Sequence, residues 1–206
     1  GDLYFPSAFT ESKGSIKING LIWMGDADFM KEQIAEKLDL GFDCIKLKIG
    51  VDWPAEKEII KNLRKEFSEN QLELRVDANG AFSLDEAKTV LNELSELKIH
   101  SIEQPVKAGN LAQMRELCEL TPTPIALDEE LIGVVDFQKK KKLLQEIGPQ
   151  YIILKPSLIG GFSGCDEWIS LAEDQNIGWW ITSALESNIG LNAIAQYTFT
   201  KNPKLP

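Results

Sequence analysis

The chain has 206 residues, a formal net charge of −10, three cysteines and one histidine. The length supports one sizeable core, the acidic balance argues against a nucleic-acid partner because phosphate binding needs a basic surface, and no apolar run approaches the roughly 20 residues of a membrane span. Cys44, Cys118 and Cys165 are odd in number and far apart, which fits reduced thiols in a cytoplasmic protein and neither a disulfide framework nor a zinc site.

Residues 1–14 read as a turn-rich polar linker or remnant ahead of a barrel over 15–206. The first strand is expected at 16–23 and the first helix at 28–40. A strand at 44–49 leads to a helix at 55–67, with Pro54 near its start. A strand at 72–76 follows, then a helix at 84–97 opened by a Ser83/Glu86 capping box. Further strand and helix pairs read as 101–102 with 111–120, 124–127 with 135–147, 151–154 with 166–175, and 179–182 with 190–200. The lysine run from Lys139 to Lys142 reads as a solvated helix face.

The strands are short and apolar, as parallel strands buried on both faces must be. Their alternation with helices predicts a parallel α/β sheet with right-handed connections. The expected fold is a TIM-like (β/α) barrel with seven recognisable units. A full barrel takes roughly 250 residues, so an eighth strand is expected beyond this chain.

Lys46, Lys48, Asp77, Glu103, Asp128, Lys155 and Ser183 each sit at the end of an apolar run, and from Lys48 onward they recur every 25 to 29 residues. That is one strand plus one helix, and barrels carry their chemistry at the carboxyl ends of strands. Taken singly, Asp77 before Ala78-Asn79-Gly80 could be a turn residue, Glu103 a loop acid, and Asp128 with Glu129 and Glu130 a solvated cluster. Taken together, one carboxylate on each of three consecutive strands suits Mg²⁺, with Mn²⁺ as a substitute, because a small hard cation takes oxygen ligands and keeps some positions for water or substrate. In a ring of eight, strands two and six are opposite, so Lys48 and Lys155 would face each other across the mouth.

Lys46 and Lys48 share one face of their strand. Crowded ammonium groups disfavour each other's charge, which would lower a lysine toward the range of a general base, and Arg75 could add to the effect. His100, expected at the far end of the barrel from these groups, reads as structural or solvated. A Ser-His-Asp arrangement therefore cannot be built. No GxGxxG or Walker sequence is present, so a nucleotide cofactor has no support.

Cys44-Ile45-Lys46-Leu47-Lys48 resembles the KxK motif of the enolase superfamily, in its muconate-lactonizing subgroup. Arg75-Val76-Asp77-Ala78-Asn79-Gly80, Ile102-Glu103-Gln104-Pro105, Ala126-Leu127-Asp128-Glu129 and Leu154-Lys155-Pro156-Ser157 resemble its metal-ligand and second-lysine motifs. Within the subgroup, the segments 18–24, 155–161 and 182–187 resemble the o-succinylbenzoate synthase family. The resemblance implies Mg²⁺ on Asp77, Glu103 and Asp128, Lys48 as base and then acid, and Lys155 as a cation on the opposite face. It implies substrate-binding or tuning roles for Lys46, Arg75, Asn79 and Ser183. It also implies a small-molecule carboxylate as substrate, with a homo-oligomer compatible with that reading, and a separate capping domain that is not recognisable here. N-acylamino-acid racemases and dipeptide epimerases share both lysines and stand as an alternative. A catalytically silent barrel acting as a scaffold is a further one.

Overall fold

The computed structural model describes residues 3–201. By its internal contacts the chain divides into two units, Ile18–Glu130 and the pair Gly1–Lys17 with Leu131–Pro206.

In the Ile18–Glu130 unit, strands β1 (Gly20–Ile22), β2 (Cys44–Lys48), β3 (Glu73–Asp77), β4 (Ser101–Glu103) and β5 (Ile125–Leu127) alternate with helices α1 (Ala27–Asp39), α2 (Trp53–Glu66), α3 (Leu84–Glu96) and α4 (Leu111–Leu120). Neighbouring strands are parallel and follow chain order. The register sets Lys46 beside Arg75 and Lys48 beside Asp77, and Asp77 in turn beside Glu103. Strand alternation then sorts chemistry from packing. Ile45, Leu47, Leu74, Val76 and Ile102 are buried among apolar neighbours, while the lysines and acids occupy the other face. Each such burial is worth about 1.5–3 kcal/mol.

The helices close this layer with one apolar stripe each. In α3 the buried positions are Ala87, Val90, Leu91 and Leu94, spaced for a single helix face. The Ser83/Glu86 capping box forms as expected, and Pro54 lies in the first turn of α2. The loops after β3 and β4 are laced by main-chain bonds. Gly80 N donates to Gln104 O at 2.7 Å and Phe82 N to Pro105 O at 3.2 Å. Gly80 has φ +74°, and a Cβ there would meet Lys107 Cα at 2.9 Å, so only glycine permits the approach.

The second unit holds β6 (Tyr151–Leu154) and β7 (Gly178–Ile181), which are parallel neighbours, with helices α5 (Phe137–Ile147), α6 (Gly161–Asp174) and α7 (Asn188–Lys201). Residues 3–14 are anchored here. Gln196 Oε1 accepts from Tyr4 N and Phe5 N, and the Phe5 ring meets the Phe162 ring edge-on at 5.1 Å.

Three expectations are corrected. The first strand covers three residues and not 16–23, since Ile18 and Trp23 are exposed and outside the ladder. Helix α6 starts at Gly161, five residues early, because Gly160 takes φ +101° and turns the chain directly into it. Lys140 is not solvated. The buried stripe of α5 runs through Lys140, Leu143, Leu144 and Ile147, which puts this one lysine of the run inward at 1% exposure. Its Nζ donates to Glu167 Oε2 at 2.8 Å and Gly164 O at 3.3 Å.

Candidate active site

Lys48, Asp77 and Glu103 are the last residues of β2, β3 and β4, and Asp128 directly follows β5. The strand-end placement read from the spacing holds at all four. Asp77 is fully buried, and Glu103 and Asp128 are each 2% exposed, so the loop-acid and solvated-cluster alternatives fall away, while Asp77 also serves as a turn residue by accepting from Asn79 N.

Ionised acids at that depth need a positive partner. Lys46 Nζ donates to Asp77 Oδ2 at 3.0 Å and Glu103 Oε2 at 2.7 Å, while Lys48 Nζ donates to the same Asp77 oxygen at 2.6 Å and to Asn79 Oδ1 at 2.6 Å. Burial pushes the Asp77 carboxyl up, but Lys46 and Lys48 outweigh it and hold it below the usual range. Burial pulls Lys46 down, yet Glu103 and Asp77 hold it above the ordinary lysine value. Crowding therefore does not depress Lys46, whose partners Glu103 and Asp77 raise it by more than burial lowers it.

The surrounding residues fix these groups. Asn79 N donates to Asp77 Oδ1 at 3.0 Å, and Asn79 Nδ2 to Glu129 Oε1 at 2.9 Å. Gln104, buried and with φ +41°, accepts from Asp128 N at 3.2 Å. Glu130 accepts from Gly109 N with both oxygens. Arg75 is one rung below Asp77, and its Nε donates to Glu73 Oε1 at 2.5 Å, an oxygen that also takes the Cys44 thiol at 3.3 Å. Sequence reasoning passed over Gln104 and Glu129 as sites. Their signal was adjacency to the acids, in Glu103-Gln104 and Asp128-Glu129.

Among the described residues, no three carboxylate, thiol or imidazole groups converge as a cage for a metal ion. Asp77 and Glu103 instead gather on the Lys46 ammonium. The donor chemistry nevertheless fits a divalent cation: buried hard oxygens at consecutive strand ends, two of them already drawn toward one positive charge. Half-buried His100 lies ahead of β4, bonded to Ser101 Oγ at 2.9 Å, with burial lowering its pKa.

In the other unit, Lys155 directly follows β6 and its carbonyl accepts from Leu158 N at 2.8 Å. Ser183 lies two residues beyond β7. The loops after these strands are joined through Glu186, which accepts from Ser157 Oγ at 2.6 Å and Ala184 N at 2.5 Å. Sequence reasoning also missed Glu186.

A family model described as Enolase C-terminal domain-like matches residues 29–205. An o-succinylbenzoate synthase of Desulfotalea psychrophila is 52% identical over 204 residues, covering 98% of this chain and 55% of that protein. A crystal structure of MenC from Desulfotalea psychrophila LSv54 superposes with a TM-score of 0.91 at 51% identity, over 98% of this chain and 56% of its own. An N-succinylamino acid racemase of Thermus thermophilus is 33% identical over 157 residues, which is 76% of this chain and 40% of that protein. The chain thus spans about half the length of the curated relatives it matches. Parallel strands alternating with helices in each unit, and a family match over most of the chain, place it in the Enolase C-terminal domain-like family, with the TIM-barrel-like fold of the enolase superfamily.

Proposed function

We propose that this chain carries the catalytic residues of an o-succinylbenzoate synthase, a Mg²⁺-dependent dehydratase that converts 2-succinyl-6-hydroxy-2,4-cyclohexadiene-1-carboxylate to o-succinylbenzoate on the route to menaquinone. The observation that carries this reading is the 52% identity to the Desulfotalea psychrophila synthase across 98% of the chain. Asp77, Glu103 and Asp128 would hold the metal, with Mn²⁺ as a substitute. When bound, the cation supplies charge that favours an enediolate at the substrate carboxylate.

The chain's own side chains account for the proton traffic. Lys48, as the free amine, takes the proton from the carbon next to the carboxylate. The electron pair left behind forms the new ring double bond as the β-hydroxyl departs from the same face. The Lys48 ammonium then returns its proton to that hydroxyl, giving water and an aromatic ring. Lys46, held positive by Glu103 and Asp77, supplies fixed charge beside the developing oxyanion. Lys155 acts as a cation near the ring, and Ser183 helps bind the succinyl arm.

The test assays the protein with Mg²⁺ against the cyclohexadiene substrate and against N-succinyl amino acids. Dehydration is expected, lost in Lys48→Arg and retained better in Lys155→Arg than in Lys155→Ala, because arginine keeps the charge without exchanging its proton. Racemisation without dehydration would replace this reading with the racemase one.

A further inference from the structure

We infer that Asn79 and Glu129 form a positioning relay that aims Lys48, an inference that rests on the role proposed for that lysine. An ammonium only donates hydrogen bonds and an ionised carboxylate only accepts them, so an amide between the two has one satisfied orientation. Asn79 occupies that place. Its Oδ1 faces Lys48 Nζ at 2.6 Å and its Nδ2 faces Glu129 Oε1 at 2.9 Å. Lys48 and Glu129 together therefore dictate which end of the amide meets the lysine, and the acceptor at position 129 holds it there.

The backbone supports the same arrangement. Asn79 has φ +44°, a left-handed conformation that asparagine tolerates better than most residues. Its own N–H is fixed on Asp77 Oδ1 at 3.0 Å. Glu129 Oε2 is buried with no partner among the described residues, so the hydrogen bonding seen for this carboxylate is spent on Asn79.

The consequence is directional. Lys48 has three N–H donors, of which one meets Asp77 Oδ2 and one meets Asn79 Oδ1. With two acceptors held rigidly, the third N–H has a single direction left, and that is the proton available for exchange with a substrate. Without the relay, Nζ would pivot about Asp77 alone. Asn79 and Glu129 are thus positioning residues that act through Lys48, whose substitution is expected to lower kcat more than it raises KM.

Three variants test the relay: Asn79→Leu, Glu129→Leu and Glu129→Gln. Glutamine can still accept from Asn79, whereas leucine cannot. The first readout needs neither substrate nor metal, namely the rate at which trace acetic anhydride labels Lys48 relative to Lys31, read by mass spectrometry. Both leucine variants are expected to change that ratio by about 3-fold or more and to lower kcat by about 10-fold, within the usual range for groups that orient a site. Glu129→Gln should recover most of both. An unchanged Lys48 ratio in both leucine variants, in protein that melts cooperatively, overturns the relay. So does a Glu129→Gln variant as impaired as Glu129→Leu, since it would mean that the charge of Glu129 matters and not its hydrogen bond. Because labelling is read without turnover, a chain that dehydrates nothing still decides the relay, and failure of one proposal is distinct from failure of the other.

Discussion

Lys46 and Lys140 are both lysines drawn inside the protein, and their surroundings show two ways of accommodating a buried charge, one among the acids proposed to hold the cation and one by packing. Lys46 meets two carboxylates that are themselves buried, Asp77 and Glu103, and their combined attraction raises its pKa against the opposing effect of burial. Lys140 meets one half-exposed acid, Glu167, a helix carbonyl at Gly164, and the Trp168 ring at 5.4 Å. The first arrangement concentrates negative charge at the ends of neighbouring strands. The second satisfies one long side chain whose alkyl stem fills space between α5 and α6.

The sharpest way to break this contrast is at the acids. Asp77→Ala or Glu103→Ala should abolish turnover, by at least about 100-fold, through weakened cation binding; calorimetric titration with Mg²⁺ checks it, and near-normal affinity would remove that residue from the ligand set. Next in size, Lys46→Met removes the ammonium that Asp77 and Glu103 share while Asp77 keeps Lys48, so chemical denaturation should show a loss of about 1–3 kcal/mol together with lost activity. Lys140→Met keeps the stem volume and should cost less stability while leaving turnover intact. Smaller still, Gly164→Ala drives a Cβ into Ile159 O beside Lys140, and should cost about 1–3 kcal/mol without touching turnover. The mildest effect concerns the thiols. Burial pushes Cys44, Cys118 and Cys165 up from 9.0 to about 12. The folded state therefore holds these protons more tightly than the unfolded one. That stabilisation is complete below pH 9 and drains away as pH rises toward 12. Melting curves across that range check the sign, and iodoacetamide should label the thiols of the folded protein slowly at pH 8.

Much of this was legible in the chain. The strand ends could be located because a polar residue interrupting a short apolar run at a constant interval is a periodic signal, and Lys48, Asp77, Glu103 and Asp128 all obey it. Lys140 was missed because four consecutive lysines look alike; only the phase of α5, set by Leu143, Leu144 and Ile147, tells which one faces inward. Glu129 and Gln104 were missed as site residues because their roles depend on hydrogen bonds to groups 50 and 24 residues away, which no local pattern encodes. The raised pKa of Lys46 has a related origin: the neighbouring ammonium is visible in sequence, whereas the carboxylates that raise Lys46 against burial come from other strands.

The lacing of the loops after β3 and β4 bears on how such a protein can diversify. Gly80 and Phe82 are tied through the main chain to Gln104 and Pro105, so an insertion in either loop would displace Asp77 or Glu103 along with it. The segments after β6 and β7 share a main-chain bond at their base, from Thr182 N to Leu154 O, and further out are joined by the side chain of Glu186, whose contacts one codon change can remove. Changes of substrate should therefore be easier to make in the loops after β6 and β7, around Lys155 and Ser183, than in the loops that carry the acids.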